Sequence, residues 1–195
     1  MLAPIRVTAP DTLPVTLAEA KLHLRVDHDD EDDLITGLIG AATDHLDGWA
    51  GILGRCLVNQ EWRVSLCSWP ASRIIRLPFP DVSAATVKYF DADNAEQTVS
   101  SGEVATLHDA GGSFLRLSDS FASPSLYSDR DDAVQVTFTA GYGAAGTDVP
   151  APIRTAILLM VAHWFHNREA VGDGSLAELP LGANALIAPY RKVGV

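Results

Sequence analysis

The stretch that most constrains the fold runs from Ala140 to Arg168, AGYGAAGTDVPAPIRTAILLMVAHWFHNR. A β-branched strand leads into it. A glycine-rich loop, a double-proline helix start and one long apolar helix follow. The chain must therefore switch from strand-like to helix-like burial within a single loop. Gly141, Gly143 and Gly146 also match G-x-G-x-x-G between a strand and a helix, the dinucleotide-binding fingerprint.

That fingerprint fails on its mechanics. A pyrophosphate site needs the glycine loop to run straight into a helix, so that first-turn N–H groups meet the phosphates. Here Thr147, Asp148, Val149, Pro150, Ala151 and Pro152 intervene, and Pro152 suits the first helical position, where a missing N–H costs nothing. A second parallel strand is also required, and no alternating β-branched or aromatic run follows Ala170. The loop reads as a glycine-tolerant turn that aims the next helix, and no cofactor is expected.

Charge narrows the partners. The net charge is −11, with residues 1–50 carrying −7, residues 51–150 carrying −5 and residues 151–195 carrying +1. Tight wrapping of nucleic acid rests on Lys and Arg replacing counterions, so DNA is not expected to be held, although it can pass nearby. Apolar content of 47% against 20% charged residues predicts a folded domain of one core, or one domain with a large insertion. Cys56 and Cys67 suggest neither a zinc site nor a secreted disulfide scaffold, so a reducing compartment is expected. The start, MLAPIRVTAPDTLP, reads as free of a signal peptide. The most apolar run, Ile157–Ala162, falls far short of the roughly 20 residues that span a bilayer. A soluble protein with no membrane partner is expected.

Helical and strand-like patterns alternate along the chain. Thr16 and Glu19 form a T-x-x-E capping box for a helix from Leu17 to about Val26. Asp27, Asp29, Asp30, Glu31, Asp32 and Asp33 then lead into the start of a second helix, predicted from about Asp30 to Ala50. Carboxylates are favourable at a helix N-terminus, and without a glycine at the sixth position the run does not resemble a calcium loop. Ile35, Ile39, Ala42, Leu46 and Trp49 recur at helical spacing, which places Trp49 in the core.

From Leu57 to Tyr142 the period becomes two. Trp62, Val64 and Leu66 alternate with polar neighbours, Pro78 and Pro80 halt the run Ile74–Leu77, and Asp91–Asn94 turns a hairpin. About seven short strands predict an antiparallel sandwich or small barrel. A third helix, about Pro152–Glu169, presents Ile157, Val161, Trp164 and Phe165 on a broad apolar stripe. His163, His166 and Glu169 share one of its faces, but H-x-x-H-x-x-E lacks the zinc-protease spacing, and no metal is expected. No nucleophile elbow, P-loop or Cys–His pairing occurs, so no catalytic residue is expected. The fold class is α+β: a helical core of three main helices (1–56 plus 144–195) with an inserted antiparallel β-domain (57–143). A short helical piece, roughly Ala183–Ala188, and a basic tail close the chain.

Six phrases carry a family resemblance: PVTLAEAKLHLRVD, DDLITGLIGAATDHLDGWAG, GRCLVNQEW, IIRLPFPDVSAATVKYFDADN, AGYG…VPAPIRTAILLMVAHWFHNRE and LP.G..ALIAPYR. In order and composition the chain resembles the tailed-phage head–tail connector (adaptor, head-completion) family. The resemblance is to the version with an inserted β-domain, found in siphovirus-like prophages and bacterial gene transfer agents.

The resemblance implies a structural subunit of a ring, usually dodecameric, below the portal. That ring extends the DNA channel and gives a docking surface to stopper or tail-completion proteins. It implies residence in a virion or phage-like particle, after assembly in the bacterial cytoplasm. The tail residues Pro189, Tyr190, Arg191, Lys192 and Val193 are then expected to bind the portal, and Ile157, Val161, Trp164 and Phe165 to pack subunits together. Asp29, Asp30, Glu31, Asp32 and Asp33 would form an acidic channel or surface. The alternative is a small-ligand-binding β-sandwich protein or enzyme, which needs a polar pocket.

Overall fold

The computed structural model describes residues 1–168 and 181–192. These residues form two compact units, one of Met1–Pro10 and Asn59–Gly141, the other of Asp11–Val58 and Tyr142–Lys192.

The second unit is helical. Helix α1 (Leu17–Leu24) starts at the capping box: Thr16 Oγ1 accepts from the Glu19 N–H at 3.2 Å, and Glu19 Oε2 accepts from the Thr16 N–H at 2.9 Å. Two orphan donors are thereby satisfied at the helix start. Arg25, left-handed at φ 60°, ends α1 where the periodic pattern alone would have continued to Val26. Helix α2 (Asp32–Leu46) opens on Asp32 and Asp33 and buries Ile35, Ile39, Ala42 and Leu46. Helix α3 (Ala151–His166) follows Pro150 and carries Pro152 in its first turn, one position later than the sequence pattern placed it. It buries Ile153, Ala156, Ile157, Met160 and Val161 in the same core, and α4 (Leu181–Ile187) adds Ala183 and Ile187.

The glycine loop finds its physical reason here. A 3-10 turn, Gly146–Asp148, stands between the glycines and α3. A Cβ on Gly146 would lie 2.3 Å from the Leu13 carbonyl oxygen, so glycine there permits backbone to touch backbone. Asp148 Oδ2 accepts from the Ala145 N–H at 2.9 Å and holds the turn.

The first unit is built of antiparallel sheets. Its strands are β1 (Ile5–Thr8), β2 (Gln60–Leu66), β3 (Ile74–Arg76), β4 (Val82–Phe90), β5 (Glu96–Thr98), β6 (Val104–Asp109), β7 (Gly112–Leu117) and β8 (Val134–Ala140). They pair as a five-stranded sheet, β1-β2-β8-β4-β5, and a three-stranded sheet, β3-β7-β6. Neither sheet closes on itself, so among the described residues there are two open sheets and no single barrel. Strand β8 shows the period-two burial in full, with Val134, Val136, Phe138 and Ala140 inside. Phe79, fully buried between two prolines, packs on Trp62 and Phe138 with ring centroids 4.9 and 6.2 Å away. Asp91 Oδ1 accepts from the Asp93 and Ala95 N–H groups at the predicted hairpin turn, where Asn94 takes φ 62°.

Strand β1 corrects one expectation. The sequence pattern left residues 1–10 with the helices, yet Ile5 and Arg6 pair with Arg63 and Trp62. All four β1 side chains are exposed, so no burial period marked the strand.

Candidate functional site

The candidate site is a set of surfaces on the helical unit. The described residues hold no group of three or more His, Cys, Asp or Glu placed to share a metal ion, and no described helix is long and apolar enough to cross a membrane. Asn167 Nδ2 donates to the His163 carbonyl at 2.8 Å, and the His166 ring lies edge-on to Phe165. Glu169, the third member of that sequence pattern, lies outside the described residues. Cys56 is buried and Cys67 exposed, and neither is in a disulfide. A shallow hollow on the five-stranded sheet includes Glu61 and Lys88 in its lining. Its charges are already engaged, Glu61 with Thr8 at 2.8 Å and Lys88 with Glu96 at 2.7 Å.

The acidic segment is partly neutralised from within. Lys21 Nζ lies 2.6 Å from Asp29 Oδ1 and 2.7 Å from Asp32 Oδ1. The two hydrogen bonds raise the Lys21 pKa above the ordinary lysine value, and the bond from Lys21 holds the Asp29 carboxyl below the ordinary aspartate value. Glu31 pairs with Arg168, whose guanidinium also sits 5.0 Å from the Phe165 ring centroid. Asp30 and Asp33 remain exposed. The five residues named in sequence are therefore brought together, some as outward charges and some as ties between α1, α2 and the end of α3.

Two expectations about the site change. Ile157 and Val161 are completely buried, and Phe165 is 9% exposed, all within this chain's own core. Their apolar area is used in folding and is not offered to a second subunit. A helix apolar on most sides can serve a ring contact or an intrachain core, and periodicity alone does not distinguish them. Trp164 is half-buried against the core and keeps part of its ring outward.

The tail is docked. Pro189 and Tyr190 lie in a 3-10 turn, Ala188–Tyr190, with Tyr190 packed on the helical core. The Lys192 N–H donates to the Leu53 carbonyl at 2.8 Å, and Lys192 Cβ would stand 3.3 Å from a Cβ on Gly54. Arg191 points outward, while Val193 lies outside the described residues.

Trp49 is the surface residue that the sequence pattern misplaced. It follows Gly48, whose φ of 75° takes the chain out of the helix after Leu46, and it is 57% exposed. Loop closure then brings Leu53, not Trp49, into the core. A glycine two residues past the last periodic position was the signal that the helix had ended.

Residues 14–65 match the sequence model of the family described as Phage gp6-like head-tail connector protein. That segment holds α1, α2, the Trp49 loop and most of β2. The fold agrees along the whole chain. Chains in "Neck of empty GTA particle computed with C6 symmetry" and "Virion of native gene transfer agent (GTA) particle" superpose with TM-scores of 0.79 and 0.80. A chain in "Neck of native GTA particle computed with C12 symmetry" gives 0.77. All three are 24% identical to this chain, over 100% of its length and 97% of theirs. No curated protein matches the sequence.

Proposed function

We infer that this protein is a structural head–tail connector: a ring subunit in the neck of a phage-like particle, with no catalytic role. The observation that carries this reading is the coincidence of the connector-family segment at residues 14–65 with a neck-protein fold over the whole chain. In this reading the ring sits below the portal, holds twelve copies in the particle and presents a surface to a stopper or tail-completion protein. Assembly takes place in the bacterial cytoplasm. The acidic excess supports it, because carboxylates around a channel let DNA slide without holding it. Pro189–Val193 form the portal-binding element, and Trp164 is the α3 residue left for subunit packing. The β unit is an insertion on the outside of the ring.

The test uses DNA-filled heads that lack connector, incubated with purified protein and counted as completed particles. The full chain is expected to complete them, and a chain truncated after Ala188 to remain folded yet fail. Completion at wild-type yield by the truncated chain removes the tail from the anchor. Failure of the full chain to associate with portal-bearing heads overturns the connector reading itself.

A further inference from the structure

We propose that Trp49 and its loop form, together with Pro189–Lys192, one docking face for a protein surface that offers an apolar slot bordered by carboxylates. The proposal rests on the connector reading and extends its tail contact to a second, sequence-distant element.

The loop is built to hold Trp49 out. The buried Asp47 carboxylate accepts from the Leu57 N–H at 2.6 Å, and the Gly48 N–H donates to the Arg55 carbonyl at 2.8 Å, so both ends of the loop are closed. Within it the Ile52 and Leu53 N–H groups donate to His45 and Leu46, drawing Leu53 to complete burial. Arg55 Nη1 donates to Tyr142 Oη at 2.5 Å and pins the far side. The outward indole therefore stands on a fixed platform, and little ordering entropy remains to be lost on binding.

The tail is stitched to this same loop through Lys192 at Leu53 and Gly54. An exposed tryptophan and an exposed arginine thus come from segments 142 positions apart onto elements that touch. Trp and Arg are the side chains that most often carry binding energy at protein interfaces.

Charge selects the partner. Residues 48–57 and 181–192 contain no Asp or Glu, while Arg55, Arg191 and Lys192 are cationic. On a chain of net charge −11, these two segments carry an exposed tryptophan and cations without acidic residues of their own. Its complement is a slot for the indole with carboxylates at the rim, where Arg191 makes paired hydrogen bonds.

Portal-bearing, DNA-filled heads are the probe, with binding read by co-sedimentation of the full-length chain. Trp49→Ala is expected to weaken binding at least tenfold with an unchanged far-UV spectrum, and Trp49→Phe to recover most of it. Arg191→Glu should weaken binding comparably, and added salt should weaken wild type more than Arg191→Glu. If truncation after Ala188 abolishes binding but Trp49→Ala and Arg191→Glu bind like wild type, the Trp49 face is overturned and the connector reading stands. If the truncated chain also binds normally, the tail contact on which the proposal rests is overturned as well. Should Trp49→Ala unfold, Arg191→Glu and the Trp49→Phe recovery decide the matter. Retention of naked duplex DNA at the same salt, lost in Trp49→Ala, would replace the protein partner by nucleic acid and overturn the proposal.

Discussion

The two units close their cores in opposite ways. The β unit takes almost all its residues from one continuous stretch, and its ion pairs, Lys88–Glu96, Arg76–Asp109 and Arg130–Asp132, join residues of the same stretch. The helical unit is assembled from two stretches separated by some eighty residues of other structure. Two of its ion pairs cross that gap: Arg154 with Glu19, and Arg168 with Glu31. Arg154 Nε also donates to the Pro14 carbonyl at 3.0 Å. A unit closed by neighbouring strands is specified locally. One closed across an insertion needs contacts whose value appears only when both stretches are present, and loop closure costs only slowly more as the intervening chain lengthens.

The largest effect comes from removing the local unit. The Tyr142 N–H donates to the Leu57 carbonyl at 3.0 Å, so the two ends left by excising residues 59–141 are already adjacent. The excised chain is expected to keep a helical far-UV spectrum and a cooperative thermal transition. A non-cooperative melt would break the comparison by making the helical unit dependent on the β unit.

Phe79→Ala removes the ring between Trp62 and Phe138 and is expected to cost about 3–5 kcal/mol in denaturant unfolding. Ile157→Ala, at the centre of α3, should cost about 2–5 kcal/mol. Independent units would show each substitution moving one transition only, followed by near-UV signals from Trp62 for the first and Trp164 for the second. A shared single transition would merge the two units energetically.

Thr16→Ala deletes the α1 cap and is expected to cost about 1 kcal/mol, measured as a shift of the denaturant midpoint with an unchanged slope.

The smallest effect is in pH. The Thr16 N–H, helped by Arg154, holds the Glu19 carboxyl below its ordinary value of 4.5. A lowered folded pKa means that the unfolded chain binds its proton first as pH falls. The contribution is thus present above 4.5 and lost as pH drops through the folded value. Glu19→Gln should melt slightly below wild type at neutral pH, with the gap narrowing below pH 4.5. A constant gap across that range would show that the Arg154 tie acts through packing and not through charge.

Much of this architecture was legible where signals are local. The Thr16–Glu19 box, the spacing of Ile35, Ile39, Ala42 and Leu46, and the Asp91–Asn94 turn each fold as their neighbours dictate. Strand β1 was not legible, because Ile5–Thr8 is exposed on both faces and its reason for being a strand is the partner at residues 61–63. Phe79 hid between two strand-breaking prolines. Trp49 hid behind a periodicity that continued one step past the helix. The candidate surface was half visible: the basic tail stood out in sequence, while its seat on Leu53 and Gly54 did not.

By itself the sequence determined most element types, the acidic balance and the connector resemblance, since periodicity, capping and charge are properties of neighbours in the chain. Only the tertiary structure decided which apolar residues were consumed inside. It buried Ile157 and Val161, turned Trp49 outward and laid Lys192 against Leu53. The physical reason is that burial is a property of pairs of surfaces, and the second surface of each pair lies far away in the sequence.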